Sequence, residues 1–293
     1  MSASGGPLAA RDRVSPATRI LSIVIIPFLL VAFVLLYFWP SADDTARLFA
    51  WRIVPGFTSM VLGSVYLGGS YFFLRAARAT EWHRVGVGFI PVGLFASLMG
   101  VATIAQWDRF IHTNVAFWLW AGLYFTTPFL VFAVWLVNRR EPSSTKAGEP
   151  MLSPGTALTI GVLGVAATAT SLFLFLLPAA AIVIWPWTLT ELTARGMGAI
   201  FALGVAALGA FVDKRWSSMR ILVQVAGFML GLILVAAVRA HGDFDVTKPL
   251  TWLFAAGFLG MAGGSAILYA RMELAGARNA RYTGPGEDRA VAG

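Results

Sequence analysis

Apolar residues in this chain come in eight blocks of about 20, separated by short segments that contain charge, Pro or Trp. A helix of about 20 apolar residues crosses the roughly 30 Å hydrocarbon core of a bilayer. The pattern therefore predicts eight transmembrane helices, and none has an Asp, Glu or Lys in its central part. We place them at residues 20–39, 51–74, 85–106, 115–137, 158–184, 196–212, 219–238 and 249–270. Pro178 lies inside the long fifth block, where we expect a kink.

Composition indicates the same class of protein. The 293 residues are 58% hydrophobic and 12% charged, with a mean hydropathy of +0.76, whereas a soluble domain has about 25% charged residues. The predicted fold class is an all-α polytopic membrane protein. The absence of cysteine excludes disulfides, thiolate catalysis and iron–sulfur clusters. With three histidines and no cofactor motif, no cofactor is predicted.

The basic residues predict an orientation. With both termini inside, 16 of the 22 basic residues face the cytoplasm, and so does the net charge of +8. The positive-inside rule thus favours cytoplasmic N and C termini. Ala, Gly, Val and Arg are abundant and only three Lys occur, which is typical of a bacterial plasma-membrane protein. Topology and anionic lipid headgroups explain the pI near 10.4 better than nucleic-acid binding does, so we expect membrane lipids as partners and no nucleic acid.

The order of landmarks predicts an internal repeat. Trp39-Pro40 is followed by Arg47 before the second span, and Trp185-Pro186 is followed by Arg195 before the sixth. Four spans per copy make both copies enter the membrane in the same direction, as two parallel four-helix repeats. The predicted organisation is an N-terminal cytoplasmic segment at 1–19, a first repeat at 20–137, a cytoplasmic linker at 138–157, a second repeat at 158–271, and a cytoplasmic tail at 272–293 that is expected to be disordered.

Four arginines on the predicted outer side break the positive-inside pattern, so each needs a partner there. These arginines are Arg47, Arg52, Arg109 and Arg195, and the acids near them in sequence are Asp43, Asp44, Asp108 and Glu191. One alternative is short ion pairs that fix the outer loops, or contacts with lipid phosphate. The other is a guanidinium site for an anionic small molecule or lipid headgroup, since guanidinium binds such groups through paired hydrogen bonds.

Two outer loops also contain histidine beside acid. A divalent-metal site can be drawn from His112, His241, Asp108 and Asp243, because imidazole and carboxylate are suitable ligands for Zn²⁺ or Mn²⁺. Neither loop has a metal-binding motif such as His-x-x-x-His. Ordinary solvent-exposed loop histidines are the simpler interpretation.

Two function classes remain open. The first is a small-molecule or lipid binding protein of the transport type, with an anion-binding region on its outer face. The second is a non-catalytic membrane scaffold or subunit, since small-residue pairs at four-residue spacing permit close contacts between membrane helices. These pairs are Ser64/Gly68, Gly227/Gly231 and Gly260/Gly264. The absence of charge within the spans disfavours an ion-coupled carrier. An enzyme is the third and least favoured alternative, because no catalytic motif is present.

The predicted topology is testable because the chain has no cysteine of its own. A cysteine placed at Ser144 should react with a membrane-impermeant maleimide only after the membrane is opened, since the linker is predicted to face the cytoplasm. Labelling of Ser144→Cys from outside intact cells would overturn the orientation.

Overall fold

The computed structural model describes residues 12–139 and 149–282. Within these ranges it contains eleven α-helices and no β-strand. The helices are α1 Pro16–Phe38, α2 Ala42–Leu48, α3 Gly56–Arg78, α4 Gly86–Ala105, α5 Val115–Asn138, α6 Pro154–Leu176, α7 Pro178–Ile184, α8 Glu191–Ala202, α9 Val205–Val212, α10 Trp216–Arg239 and α11 Pro249–Tyr282. Three short 3₁₀ turns, Trp82–Arg84, Trp107–Arg109 and His241–Asp243, lie in the connections.

Eight helical segments are long and apolar enough to cross a membrane, in agreement with the eight predicted blocks. Seven are single helices, and the sixth consists of α8 and α9 together. The kink expected at Pro178 is confirmed, because the helix ends at Leu176 and a separate helix begins at the proline. The chain is therefore a multi-spanning helical membrane protein.

Several predicted boundaries differ from the structure, and α1, α3 and α8 begin four or five residues away from the predicted starts of their spans. Helix α6 begins at Pro154, four residues before the predicted start, with the Ser153 hydroxyl capping it. Helix α11 continues to Tyr282, so the described part of the tail predicted to be disordered is helical. Good helix formers from Met272 onward, among them Glu, Leu, Ala and Arg, explain the extension. The predictions for residues 1–11, 140–148 and 283–293 concern parts of the chain outside the described residues.

The spans pack as neighbouring pairs. In the first half of the chain, up to residue 139, α1 packs on α3 and α4 packs on α5. In the second half, from residue 149, α6 packs on α8 and α9, and α10 packs on α11. The halves meet where α3 packs on α10 and α4 packs on α8. The four helices α3, α4, α8 and α10 therefore form the centre of the bundle.

Equivalent backbone hydrogen bonds join the connecting segments at one end of both halves. We call this end, which contains residues 12–14, 80–82, 150–152 and 214–216, the basic end. In each half the segment before the first span pairs with the loop before the third span. The bonds run from Val14 N–H to Thr80 O (3.2 Å) and from Trp82 N–H to Asp12 O (2.7 Å) in the first half, and from Leu152 N–H to Lys214 O (2.8 Å) and from Trp216 N–H to Pro150 O (3.0 Å) in the second. Ser15 and Ser153 then cap the helices that follow.

A matching pair of bonds lies at the opposite end. Ile111 N–H donates to the Ala50 carbonyl (2.9 Å), and Asp245 N–H donates to the Pro186 carbonyl (2.8 Å). If these two bonds are aligned, α2 corresponds to α7 in the sequence, and Trp51 rather than Trp39 corresponds to Trp187. The register predicted from the two Trp-Pro pairs is therefore not the one these bonds support. Because α7 is wholly apolar, the sequence merges it with the preceding span.

A close contact explains the break between α8 and α9. A Cβ added to Gly204 would lie 2.4 Å from Ala167 Cβ on α6, and one added to Gly164 would lie 3.1 Å from the Gly204 carbonyl oxygen. Only glycine at these positions lets the two backbones approach so closely. The turn at Leu203-Gly204 thus lets α9 stay in contact with α6.

We expect Gly204→Leu to lower the free energy of unfolding by about 1–3 kcal/mol, since overpacking forces the backbones apart. Gly122→Leu on α5 is the matched control, because a Cβ there meets nothing within 4 Å. Thermal unfolding in detergent measures both variants. Equal midpoints would contradict the close contact.

Candidate functional site

Each of the four predicted outer arginines has a carboxylate within salt-bridge distance. The pairs are Arg47–Asp44 at 3.1 Å, Arg52–Asp43 at 3.5 Å, Arg109–Asp108 at 3.5 Å and Arg195–Glu191 at 3.2 Å. The acids are the ones near them in sequence. This geometry matches the ion-pair alternative and leaves the anion-binding alternative as a hypothesis.

The two arginines chosen as a recurring pair occupy different environments. Arg47 lies on the short helix α2 and its side chain is 71% exposed, whereas Arg195 lies on α8 and is 19% exposed. Glu191, the partner of Arg195, also accepts a hydrogen bond from Gln106 Nε2 (3.1 Å) at the end of α4. The Arg195 pair thus connects the two halves of the chain, and the Arg47 pair stays within one helix.

The four predicted metal ligands have separate roles. Asp108 pairs with Arg109, and Asp243 accepts a hydrogen bond from Phe57 N–H (2.9 Å). The His112 ring packs between Trp107 and Phe117, whereas His241 is exposed. In the described ranges, no group of three or more His, Cys, Asp or Glu side chains could hold a metal ion.

The centre of the bundle is closed near α8. A cavity of about 10 Å³ lies between the halves, enough for one water molecule. Its lining residues are Trp51, Ile53, Thr58, Leu62, Met99, Thr193, Gly196, Met197 and Ile200. Trp51 Nε1 is buried without a hydrogen-bond partner among the described residues, whereas Trp187 Nε1 donates to the Thr58 hydroxyl (2.9 Å). Space for a substrate between the halves is absent from this part of the structure.

A polar network near the basic end was missed by the sequence analysis. It joins α3, α10 and α11 through three pairs of side chains, each pair four residues apart. The bonds run from Arg75 Nη1 to the Tyr71 hydroxyl (3.0 Å), from that hydroxyl to Gln224 Oε1 (2.9 Å), from Gln224 Nε2 to the Tyr269 hydroxyl (2.9 Å), and from Arg220 Nη2 to Glu273 Oε2 (2.6 Å). The four-residue spacing, which puts each pair on one helix face, was the available signal.

The segment at residues 213–218, which runs from the loop into the first turn of α10, also holds charge at the basic end. Asp213 accepts hydrogen bonds from Arg215 Nη2 (2.8 Å) and the Ser218 hydroxyl (2.6 Å). Burial raises the pKa of Asp213, but the hydrogen bonds and charge from Arg215 and Ser218 outweigh it and leave the pKa below its usual value. In the first half of the chain, at the same end of the bundle, His83 pairs with Asp12. These ion pairs fix the loops at this end of the bundle, and Glu81 takes part in the same way through its pair with Arg84.

Comparison with protein-family models, curated proteins and solved structures found no match to this chain. A helical-bundle fold by itself does not specify an activity. The contacts, burial and charges of named residues are therefore what supports a function.

The exposures of the two outer arginines predict different effects on stability. We expect Arg47→Gln to leave the unfolding midpoint unchanged, because exposed pairs contribute about 0–1 kcal/mol. Arg195→Gln should lower the midpoint, since it leaves the carboxylate of Glu191 beside Gln106 without its cation. Thermal unfolding in detergent provides the test. Loss of inorganic-phosphate binding in both variants at unchanged stability would instead support an outer anion site.

Proposed function

We propose that this protein is a non-catalytic membrane subunit whose last span packs against another transmembrane helix, in the bacterial plasma membrane with both termini cytoplasmic. The observation that carries the proposal is the position of α11 in the bundle. In the most apolar 18-residue window of α11, none of the residues is buried, whereas 78% of the corresponding window of α3 is buried. The closed centre of the bundle gives the same chain little room for a substrate.

The glycines of α11 support the proposal. A Cβ added at any of four glycines on this helix would meet nothing within 4 Å, and these are Gly257, Gly260, Gly263 and Gly264. By contrast, a Cβ added to Gly68 on α3 would lie 2.3 Å from Met229 Cγ, and one added to Gly161 on α6 would lie 1.9 Å from Phe211 Cζ. Small residues are enriched where membrane helices pack closely. The Gly260/Gly264 pair therefore has the composition of a helix interface and no partner among the described residues.

A duplication of the chain strengthens this argument. We infer that the two halves are parallel four-helix repeats, because they share the closing hydrogen bonds at both ends and pair their spans in the same order. Helix α5 of the first half is then equivalent to α11 of the second. In its window 39% of α5 is buried, against none of α11. The second repeat thus lacks cover that the first repeat has, and a partner helix would supply it.

A transport-type function is the second candidate. The contact of α3 with α10 is equivalent to the contact of α8 with α4, so the halves could rock against each other around the central cavity. The outer arginines would then meet an anionic substrate as the halves open. The small volume of the cavity makes this candidate the weaker one.

Cross-linking tests the subunit proposal, with a second copy of the chain as the first partner to examine. We expect Gly264→Cys to form a disulfide-linked dimer in native membranes upon mild oxidation, because a two-fold interface brings the same face of both copies together. Gly122→Cys on α5 is the matched control and should stay monomeric.

A size measurement completes the test. Gly260→Leu should reduce the particle size of the purified protein in mild detergent without lowering its unfolding midpoint, since a Cβ added there has no atom of its own chain within 4 Å. The proposal would be contradicted if the protein forms no cross-link at Gly264 and if Gly260→Leu leaves its particle size in detergent unchanged.

A further inference from the structure

The network at the basic end has more positive than negative charge. Arg220 is paired with Glu273, whose second oxygen accepts from Trp216 Nε1 (2.9 Å). Arg75 donates only to two neutral groups, the Tyr71 hydroxyl and Gln224 Oε1 (3.4 Å), and the described residues contain no salt-bridge partner for it. The network therefore has two guanidinium groups and one carboxylate.

The arginines also have hydrogen-bonding capacity left over. Arg220 Nε is buried without a hydrogen-bond partner among the described residues. Arg75 uses Nη1 for both of its bonds, so its Nη2 and Nε remain for an acceptor. Each guanidinium also lies over a tyrosine ring, at 5.8 Å for Tyr71 and 5.9 Å for Tyr269. Both arginines are thus held in place with donors unused.

The surface next to the network is apolar and lies within the spans. On α10 the face that carries Gln224 continues with Phe228, which is 46% exposed and packs on the Tyr71 ring. Gly231 lies one turn further, and a Cβ there would meet nothing within 4 Å. An exposed apolar surface of this kind suits an acyl chain, with the charged groups at headgroup level.

The first repeat has no such network, although its helices are arranged alike. With Trp82 set opposite Trp216, the positions equivalent to Arg220 and Gln224 are Gly86 and Ile90 on α4. The fold therefore forms without these polar side chains, and their presence on α10 calls for a reason specific to this side of the molecule.

We propose that Arg75 and Arg220 bind the phosphate of an anionic phospholipid in the leaflet at the basic end, with one acyl chain along Phe228 and Gly231. The surplus positive charge and the unused donors favour a phosphate, and guanidinium binds phosphate through paired hydrogen bonds. The exposed apolar surface at Phe228 and Gly231 favours a lipid over a soluble phosphate. The site is independent of the subunit proposal, because it lies between α3 and α10 rather than on the glycine face of α11.

Lipid binding to the purified full-length chain tests the site. Phosphatidylglycerol is added to the protein in detergent, and binding is read from native mass spectrometry and from the rise in unfolding midpoint, with phosphatidylcholine as the neutral comparison. We expect Arg75→Gln to weaken phosphatidylglycerol binding by about tenfold. Arg78→Gln removes the same charge from an exposed position one turn away and should bind like the unchanged protein.

A second variant keeps the charges and places a bulky side chain on the apolar surface beside Phe228. Gly231→Leu should weaken phosphatidylglycerol binding while leaving the unfolding midpoint without lipid unchanged, so a folding defect is distinguished from a binding defect. Equal losses in Arg75→Gln and Arg78→Gln would show general surface charge and overturn the site. Equal competition by soluble glycerol phosphate would overturn the lipid assignment in favour of a free-phosphate site. Unchanged binding in Arg75→Gln and Gly231→Leu would refute the proposal altogether.

Discussion

The structure depends on the requirement that backbone N–H and C=O groups be hydrogen-bonded where no water reaches them. In the hydrocarbon core the spans meet it as helices. At the ends of the helices the free groups must find partners in the connecting segments, and here the segments bond to each other. Val14 bonds to the loop before the third span, and Leu152 bonds to the loop before the seventh. These bonds fix where each span begins, and so which side chains meet at each depth.

Packing at the centre follows from that registration. With the span ends fixed, α3 meets α10 and α4 meets α8, and large side chains such as Phe57, Met99 and Met197 fill the space between them. Glycines at close contacts, Gly68 and Gly204 among them, bring the backbones close together, and the cavity beside Met99 has a volume of about 10 Å³. A well-filled centre costs free energy to open, which is why the chemistry of this protein is better sought on its outer surfaces than in its interior.

The sequence predicts the spans well and the side-chain partners poorly. Hydropathy alone identified all eight spans, since the bilayer sets both their length and their composition. The two Trp-Pro pairs suggest one register for the proposed repeat, and the loop hydrogen bonds suggest another, in which the apolar helix α7 would correspond to α2 with its Asp43, Asp44 and Arg47. Arg75 and Arg220 lie on helices α3 and α10 and are connected through Gln224, which bonds to Arg75, and Tyr269, which bonds to both Gln224 and Arg220. Hydropathy describes each residue alone, whereas such a network depends on which helix faces become neighbours.

Helix α11 is the least buried of the eight spans among the described residues. Tyr269 and Glu273 bind one face of this helix to α10 through Gln224 and Arg220. At 3.6 residues per turn, the four open glycines lie roughly 120–180° around the helix from Tyr269. The polar face therefore fixes the rotation of α11 and turns its glycines outward. The row of hydrogen bonds from Arg75 through Gln224 to Tyr269 thus lies on one side of α11, and the glycine face lies on the other.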